Sequence, residues 1–346
     1  MKYTVDEAYL LHTMQELIET PSPVGYPFRL NPILARMTEE LGFDMALDRR
    51  DCGYVTVDGA DADKTVLLTA HADTLGMMVR SINADGTLKI RVMGGLNLST
   101  VDGETVTVHT RSGKDYTGLC LCRHHSTHAF TDATEMPRNE ENIMILLDER
   151  VSTRAEVEAL GIMNGDMISI DPRFQITENG FVKSRFIDDK GAMACCLTAL
   201  KYMKDHGLKP KHRTILHFPP SEELGTGGSY LPEDVDEMIA VDIGLIGPDC
   251  NGNEFSVSIC AKDAGQVYDY ALTGKLIECA KKADCPYAVD LFLRYGSDVG
   301  AARRAGNNVR GALFGMAVYG SHGMERTHMD SLIGTTNLIL EYLLGD

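Results

Sequence analysis

Apolar residues recur along this chain with two different periods, and the period changes twice. Near the start, Leu10, Leu11, Met14, Leu17 and Ile18 fall at the spacing of one helix face. Thr4 and Glu7 have the spacing of a capping box ahead of them. TPSPVGYP at 20–27 breaks the pattern, and a second helix is predicted over 32–41. YVTV at 54–57 and VLLTA at 66–70 read as strands. From 77 to 171 the helical period disappears. MMVRSI, TLKIRVM, TVTVHT and YTGLCLC are short β runs separated by Gly, Asn or Asp turns. TRAEVEALG at 153–161 is the only helical stretch there.

Alternation then returns. A helix follows Asp188, and TILHF at 214–218 and MIAVD at 238–242 read as strands. A helix is predicted over 269–283, a strand at FLRY, 292–295, and a last helix over 334–344. Strands alternating with helices imply an α/β fold: a mixed, mostly parallel sheet flanked by helices. Neither α/β stretch is long enough to be its own domain. The pattern predicts one discontinuous α/β domain, 1–76 and 172–346, with a β-rich domain inserted at 77–171.

Composition narrows the function. The 346 residues carry a formal charge of −17, which argues against a nucleic-acid backbone or an anionic membrane as partner and is compatible with metal cations. No apolar run reaches the roughly 18 residues of a membrane span. The N-terminus has no apolar core of a signal peptide. Nine scattered cysteines suit a reducing cytoplasm better than a disulfide framework.

Five short elements could carry chemistry. His71 and Asp73 follow the strand VLLTA, and ligands in open α/β sheets bind beyond such strand ends. Asp188 and Asp189 form the only Asp-Asp pair, readable as a helix cap or as a metal-bridging carboxylate. Glu222 and Glu223 follow TILHF; adjacent carboxylates can divide into a metal ligand and a general base. Asp242 ends MIAVD, and His322 follows the apolar run GALFGMAV. Together these give two His, three acidic ligands and one spare Glu. Two divalent ions sharing one bridging carboxylate need that set, and such a pair activates water and clamps a scissile group. Zinc, cobalt and manganese all suit mixed His and carboxylate donors. Cys120, Cys122, His124, His125 and His128 also cluster, but C-x-C with His so close fits a strand better than a structural zinc site.

The order HAD, IDDKG, SEELG, VD, SHG resembles the tetrahedral (TET/FrvX-type) cocatalytic metallo-aminopeptidases, the glutamyl, leucyl and lysyl aminopeptidase group. HADTLGMMVRSINADGTLKI is similar to that family's first-ligand strand entering its inserted domain. LLDERVSTRAEVEALGIMNGDMISIDP is similar to the end of the insertion, and YGSDVGAARRAG to a late Gly-Thr-Asp loop. The resemblance implies one metal on His71, Asp188 and Asp242, and the other on Asp188, Glu223 and His322. It implies that Glu222 is the general base acting on a metal-bridging water, that Asp73 orients His71, and that Asp298 lies on the substrate side. His328 is the rival for the last ligand. It further implies a PDZ-like insertion serving as dimerisation or lid domain, dimers built into hollow dodecamers, and peptides as substrates. Lys190 stands where the family usually has Arg, and Gly323 where it usually has Ser.

Three readings follow. The first is removal of the N-terminal residue of peptides. The second is a di-metal amidohydrolase or deacylase on a small N-acyl substrate. The third is a catalytically silent metal-binding assembly, which would need no spare Glu222. A glycosidase fits poorly, since its two carboxylates must flank a sugar from opposite sides.

Overall fold

The computed structural model describes residues 1–232 and 235–345. Helices α1 (Glu7–Glu19) and α2 (Leu30–Glu40) lead into strands β1 (Met45–Leu47), β2 (Gly53–Val57) and β3 (Asp61–Thr69). The chain then forms β4 (Gly76–Ile82), β5 (Leu88–Met93), β6 (Thr105–His109), β7 (Asp115–Cys122) and β8 (Ile143–Leu147). A short helix α3 (Arg154–Ala159) and β9 (Met167–Ile170) follow. Next come β10 (Gln175–Ile176), β11 (Phe181–Ser184), helix α4 (Ile187–Asp205), β12 (His212–Phe218), β13 (Glu237–Val241), β14 (Gly244–Leu245) and β15 (Val257–Lys262). The chain ends with α5 (Tyr270–Lys282), β16 (Tyr287–Leu291), α6 (Asp298–Arg304), β17 (Arg310–Val318), β18 (Glu325–His328) and α7 (Met329–Leu344). No helix of the described residues is long and apolar enough to cross a membrane.

The main sheet has the order β1-β2-β12-β3-β13-β17-β15-β16, with β14 beside the end of β17. Its centre, β12-β3-β13-β17, is parallel throughout. Those strands read as apolar runs because both of their faces are covered. Val66 and Leu68 of β3 pack into a core shared with α1, α4 and α7, whereas Leu67 faces a second core holding Val299 and Ala302 of α6. Strands β4 to β9 close separately into a six-stranded antiparallel barrel, in the order β4-β5-β8-β7-β6-β9, around its own apolar core. A three-stranded sheet, β10-β11-β18, joins the chain leaving the barrel to the segment before α7.

Three local expectations are corrected. Thr4 does not cap α1: Asp6 does, its carboxylate accepting from the Tyr9 N–H at 2.9 Å. The chain before it is held extended against α7, with the Tyr3 N–H donating to Asn337 Oδ1 at 2.8 Å, so a helix cannot start at Thr4. FLRY is not the strand; Tyr287–Leu291 is, in parallel register with β15. Phe292 makes one last bond to the Lys262 carbonyl, and the chain then turns toward α6. The last helix starts at Met329, ahead of the expected 334, because His328 caps it by accepting from the Asp330 N–H.

A buried polar chain runs beneath the sheet's carboxyl end. His217 stacks on Tyr54, and its Nδ1 lies 3.1 Å from Thr69 Oγ1, which donates to Asp298 Oδ2. Burial pushes His217 down to about 3, so the folded chain keeps it neutral. Unfolded, it binds a proton near pH 6.5. The stability linked to this group is therefore present above that pH and lost as pH falls from 6.5 toward 3. His217→Phe, which retains the stacked ring, is expected to remove up to one proton of slope, roughly 1.4 kcal/mol per pH unit in that window. Urea unfolding of both proteins at several pH values in a chelator measures this; parallel stability curves would refute it.

Candidate metal centre and active site

The four central parallel strands end on the same side. His71 lies two residues beyond β3, Glu222 and Glu223 four and five residues beyond β12, Asp242 directly after β13, and His322 four residues beyond β17. Asp188 comes from the start of α4, where Asp188 and Asp189 have non-helical backbone angles. All but Asp189 line one cavity of about 750 Å³.

Asp188 stands between the two imidazoles. Its Oδ1 is 2.9 Å from His71 Nε2, and its Oδ2 is 3.7 Å from His322 Nε2. Glu223 Oε2 lies 3.6 Å from His322 Nε2, and Glu222 Oε2 lies 4.0 Å from His71 Nε2. Donor atoms of His71, Asp188 and Glu223 converge within 4.8 Å of one another, as do those of His71, Asp189 and Asp242. Asp189 is thus a neighbour of the cluster, and of the two readings the sequence left open for the Asp pair, a helix cap does not describe it. It caps nothing: its Oδ2 accepts from the His71 N–H at 3.0 Å.

Both imidazoles are held by main-chain carbonyls. His71 Nδ1 donates to the Asp73 carbonyl at 3.0 Å, and His322 Nδ1 to the Gly95 carbonyl at 3.2 Å. Each Nε2 is left facing the carboxylates. Asp73 has a second task beside His71. Its carboxylate, 3.6 Å from His71 Nδ1, accepts from the N–H groups of both Glu222 and Glu223, at 3.0 and 3.1 Å. It fixes the turn that carries the glutamate pair.

Glu325, which the sequence did not single out, does the same for two other segments. It accepts from the Asp188 N–H at 3.0 Å and from the His322 N–H at 3.3 Å. His322 sits at φ +63° and Phe186, just before the Asp pair, at φ +68°. Side chains rarely adopt that left-handed backbone, and such strain persists where surrounding contacts over-determine it.

The barrel reaches the same centre. A Cβ on Gly95 would meet His322 Nδ1 at 2.6 Å, and one on Gly94 would meet the Glu223 Cβ at 3.2 Å. These two glycines, in the turn after β5, let barrel backbone lie directly against both side chains. The Asn97 N–H also donates to the His322 carbonyl at 3.3 Å.

Burial is the first cause of the raised proton affinities here. It pushes Glu222, Glu223, Asp189 and Glu325 well above the usual carboxylate range, and neighbouring carboxylates add to it. Asp242 rises to about 7 by burial and the charge of Asp188. Burial would also raise Asp188, but the His71 hydrogen bond and the charges of both imidazoles outweigh it and lower its pKa. Burial disfavours a charged His71, yet its bonds to Asp188 and Asp73 hold it well above the usual value. None of these carboxylates is ion-paired to Lys or Arg among the described residues, and Glu223 Oε1 and Asp189 Oδ1 have no hydrogen-bond partner there. Crowded, unpartnered carboxylate oxygens beside two oriented imidazoles fit divalent cations in number and in donor chemistry.

Three candidates lie elsewhere. Asp298 starts α6 beneath the cavity and accepts from Thr69 Oγ1 and the Gly228 N–H. Burial raises it to about 6. His328 is engaged away from the cluster, with its Nε2 donating to the Asn179 carbonyl at 2.7 Å while its Nδ1 caps α7. Cys120 and Cys122 both face the barrel interior, and His124 pairs with Asp132 at 2.6 Å.

Known proteins can now be set beside this geometry. The family model described as M42 glutamyl aminopeptidase matches residues 52–338. A Bacillus subtilis (strain 168) protein named "Putative aminopeptidase YhfE" is 38% identical over 334 residues, covering 96% of each chain. The glutamyl aminopeptidase of Lactococcus lactis is 24% identical over 329 residues, covering 91% of this chain and 90% of its own. Among solved structures, the TET aminopeptidase of a marine-sediment Thaumarchaeota archaeon has a TM-score of 0.87 at 18% identity, covering 97% of each chain. The TET1 peptidase of Pyrococcus horikoshii has 0.86 at 19% identity, covering 97% of this chain and 100% of that one. The structural likenesses speak for the fold, whereas the family match over most of the chain and the 38% relative settle the lineage: this protein belongs to the M42 aminopeptidases, a family of peptide hydrolases.

Proposed function

We propose that this protein is a di-metal aminopeptidase that removes the N-terminal residue of peptides. One observation carries the reading: a cavity lined by two oriented imidazoles and clustered carboxylates that also holds a spare glutamate, Glu222, 4.0 Å from His71. In this reading His71, Asp188 and Asp242 hold one ion and Asp188, Glu223 and His322 the other. The two oxygens of Asp188, turned toward different imidazoles, suit a bridge. Zinc, cobalt or manganese bound there would polarise the scissile carbonyl and lower the pKa of a water. Glu222 takes the proton of the attacking water and passes it to the leaving amine. Its raised proton affinity favours holding that proton between the two steps. Asp73 keeps Glu222 in reach by clasping its main chain.

The inserted barrel takes the part of the PDZ-like dimerisation or lid domain, with 77–171 as its bounds. Its Gly94–Gly95 turn against Glu223 and His322 supports the lid role. The P. horikoshii relative is described as assembling into a tetrahedron or a large octahedral shell. We infer a dimer-based homo-oligomer for this chain as well, checked by its mass in light scattering. Nine free cysteines support a cytoplasmic location.

The central test pairs metal content with turnover on aminoacyl p-nitroanilides and short peptides. About two divalent ions per chain and loss of activity in chelator are expected. Glu222→Gln is expected to keep its metal and lose roughly 10²–10⁴-fold in kcat. Two ions without any peptide or anilide cleavage would move the reading to a deacylase or a silent assembly. A second prediction concerns the barrel turn. Gly95→Ala is expected to weaken one of the two ions by roughly 10–100-fold while the other stays bound, because it displaces the ring that Gly95 orients. Metal titration by calorimetry measures both ions, and two unchanged affinities would remove the barrel from the centre.

A further inference from the structure

Four of the five proposed ligands are braced by a carbonyl or a carboxylate. His71 and His322 lean on the Asp73 and Gly95 carbonyls, while the Glu223 and Asp188 N–H groups are held by Asp73 and Glu325. Asp242, the fifth, stands where the sheet is interrupted. β13 pairs with β17 as far as Val241, opposite Phe314, and β14 resumes at Gly244, opposite Ala317. Asp242 and Ile243 lie between. The Asp242 N–H still donates to the Phe314 carbonyl at 3.0 Å. A Cβ on Gly315 would meet the Asp242 carbonyl oxygen at 2.0 Å, so the main chain passes here only because 315 is glycine.

The Asp242 carboxylate accepts from the next N–H along the chain, that of Ile243, at 2.6 Å. Ile243 is fully buried, and a buried carbonyl outside a ladder needs a donor. The Tyr295 hydroxyl supplies it at 2.9 Å. Burial and the charge of Asp188 raise the pKa of Asp242, and the same hydroxyl works against them, so it bears on the carboxylate as well as on the carbonyl. Tyr295 lies on the cavity wall, in the segment between β16 and α6. That wall is pinned from behind. The Tyr295 carbonyl accepts from the Ala264 N–H at 3.1 Å. Ser297 Oγ lies 2.8 Å from the Tyr268 hydroxyl, which donates to the buried Asp263 at 2.8 Å. A phenyl ring would pack as well as the phenol but would leave the Ile243 carbonyl without this donor.

We propose that Tyr295 is a positioning residue for Asp242: its hydroxyl fixes the Asp242–Ile243 main chain, and with it the direction in which the carboxylate faces His71 and Asp188. The proposal rests on the reading that Asp242 shares an ion with those two residues. It makes the two halves of the centre depend on different parts of the chain. The half with His322 leans on the barrel turn at Gly95, and the half with Asp242 leans on the wall ahead of α6. Groups that orient a metal ligand typically set affinity by roughly 10–100-fold, and the hydroxyl stands in that relation to Asp242.

The test is calorimetric titration of the chelator-stripped protein with zinc, cobalt or manganese, which reads both ions without any turnover. It is run on the wild type, Tyr295→Phe, Gly95→Ala and the double variant. Tyr295→Phe is expected to weaken one ion by roughly 10–100-fold and Gly95→Ala the other, so that the double variant weakens both. Tyr268→Phe, which frees the wall at Ser297 without touching Asp242, is expected to weaken the same ion as Tyr295→Phe by a smaller factor. Melting temperatures in chelator show which variants fold. Two unchanged affinities in Tyr295→Phe would overturn the role, or in Tyr268→Phe alone where Tyr295→Phe does not fold. So would equal weakening of both ions, the mark of general loosening, or loss of the same ion in Tyr295→Phe and Gly95→Ala. A wild type that binds fewer than two ions would sink the di-metal reading and this proposal together, whereas two wild-type ions untouched by the tyrosine variants sink the proposal alone.

Discussion

Like charge crowded away from water is the constraint on which the site depends. Asp188, Asp189, Asp242, Glu222, Glu223 and Glu325 come together with two imidazoles and, among the described residues, no Lys or Arg ion pair. A buried carboxylate without a counter-charge takes up a proton, and most of these are pushed that way. The arrangement is therefore unfavourable as bare protein and becomes favourable with divalent cations. Main-chain donors help to hold it meanwhile. Asp73 and Glu325 each accept from two N–H groups: Asp73 ties the glutamate turn to the His71 segment, and Glu325 ties the Asp pair to the His322 loop.

The sheet makes the crowding possible. Parallel strands deliver successive segments to one edge, so residues at 71, 222–223, 242 and 322 meet without any being close in sequence. Sliding one of these apolar strands would draw the polar residues at its end into the covered core, which favours one register for those ends. The polar chain His217–Thr69–Asp298–Gly228 then locks β12, β3 and α6 beneath the cavity.

Much of this was legible in the sequence. HAD, SEELG and Asp242 each close an apolar strand, and strand ends of an α/β sheet are where ligands bind. The change from helical period to short β runs marked the barrel segment. What stayed hidden depends on contacts distant in sequence. Glu325 looks like any acid in ERTH until β18 pairs with β11 and brings it to Asp188. The Asp188-Asp189 pair could be read locally as a helix cap or a metal bridge, and only the fold shows Asp189 bonded to the His71 N–H. Gly94 and Gly95 read as a turn, since nothing local says what a turn is pressed against. FLRY has strand composition, but the ladder with β15 is set by the preceding residues.

The position of that turn bears on how the two domains work together. The barrel has its own closed sheet and its own apolar core, so it could have been an independent attachment. Instead its backbone carbonyl sets which nitrogen of His322 faces Asp188 and Glu223. His322 is also the more exposed of the two imidazoles, its side chain 37% exposed against 2% for His71. The His71 half is braced inside the α/β domain, while the His322 half leans on the barrel. A rigid-body shift of the barrel would loosen the second half and leave the first intact. The two glycines keep this contact a main-chain one, and a side chain added at Gly95 would meet the His322 ring directly.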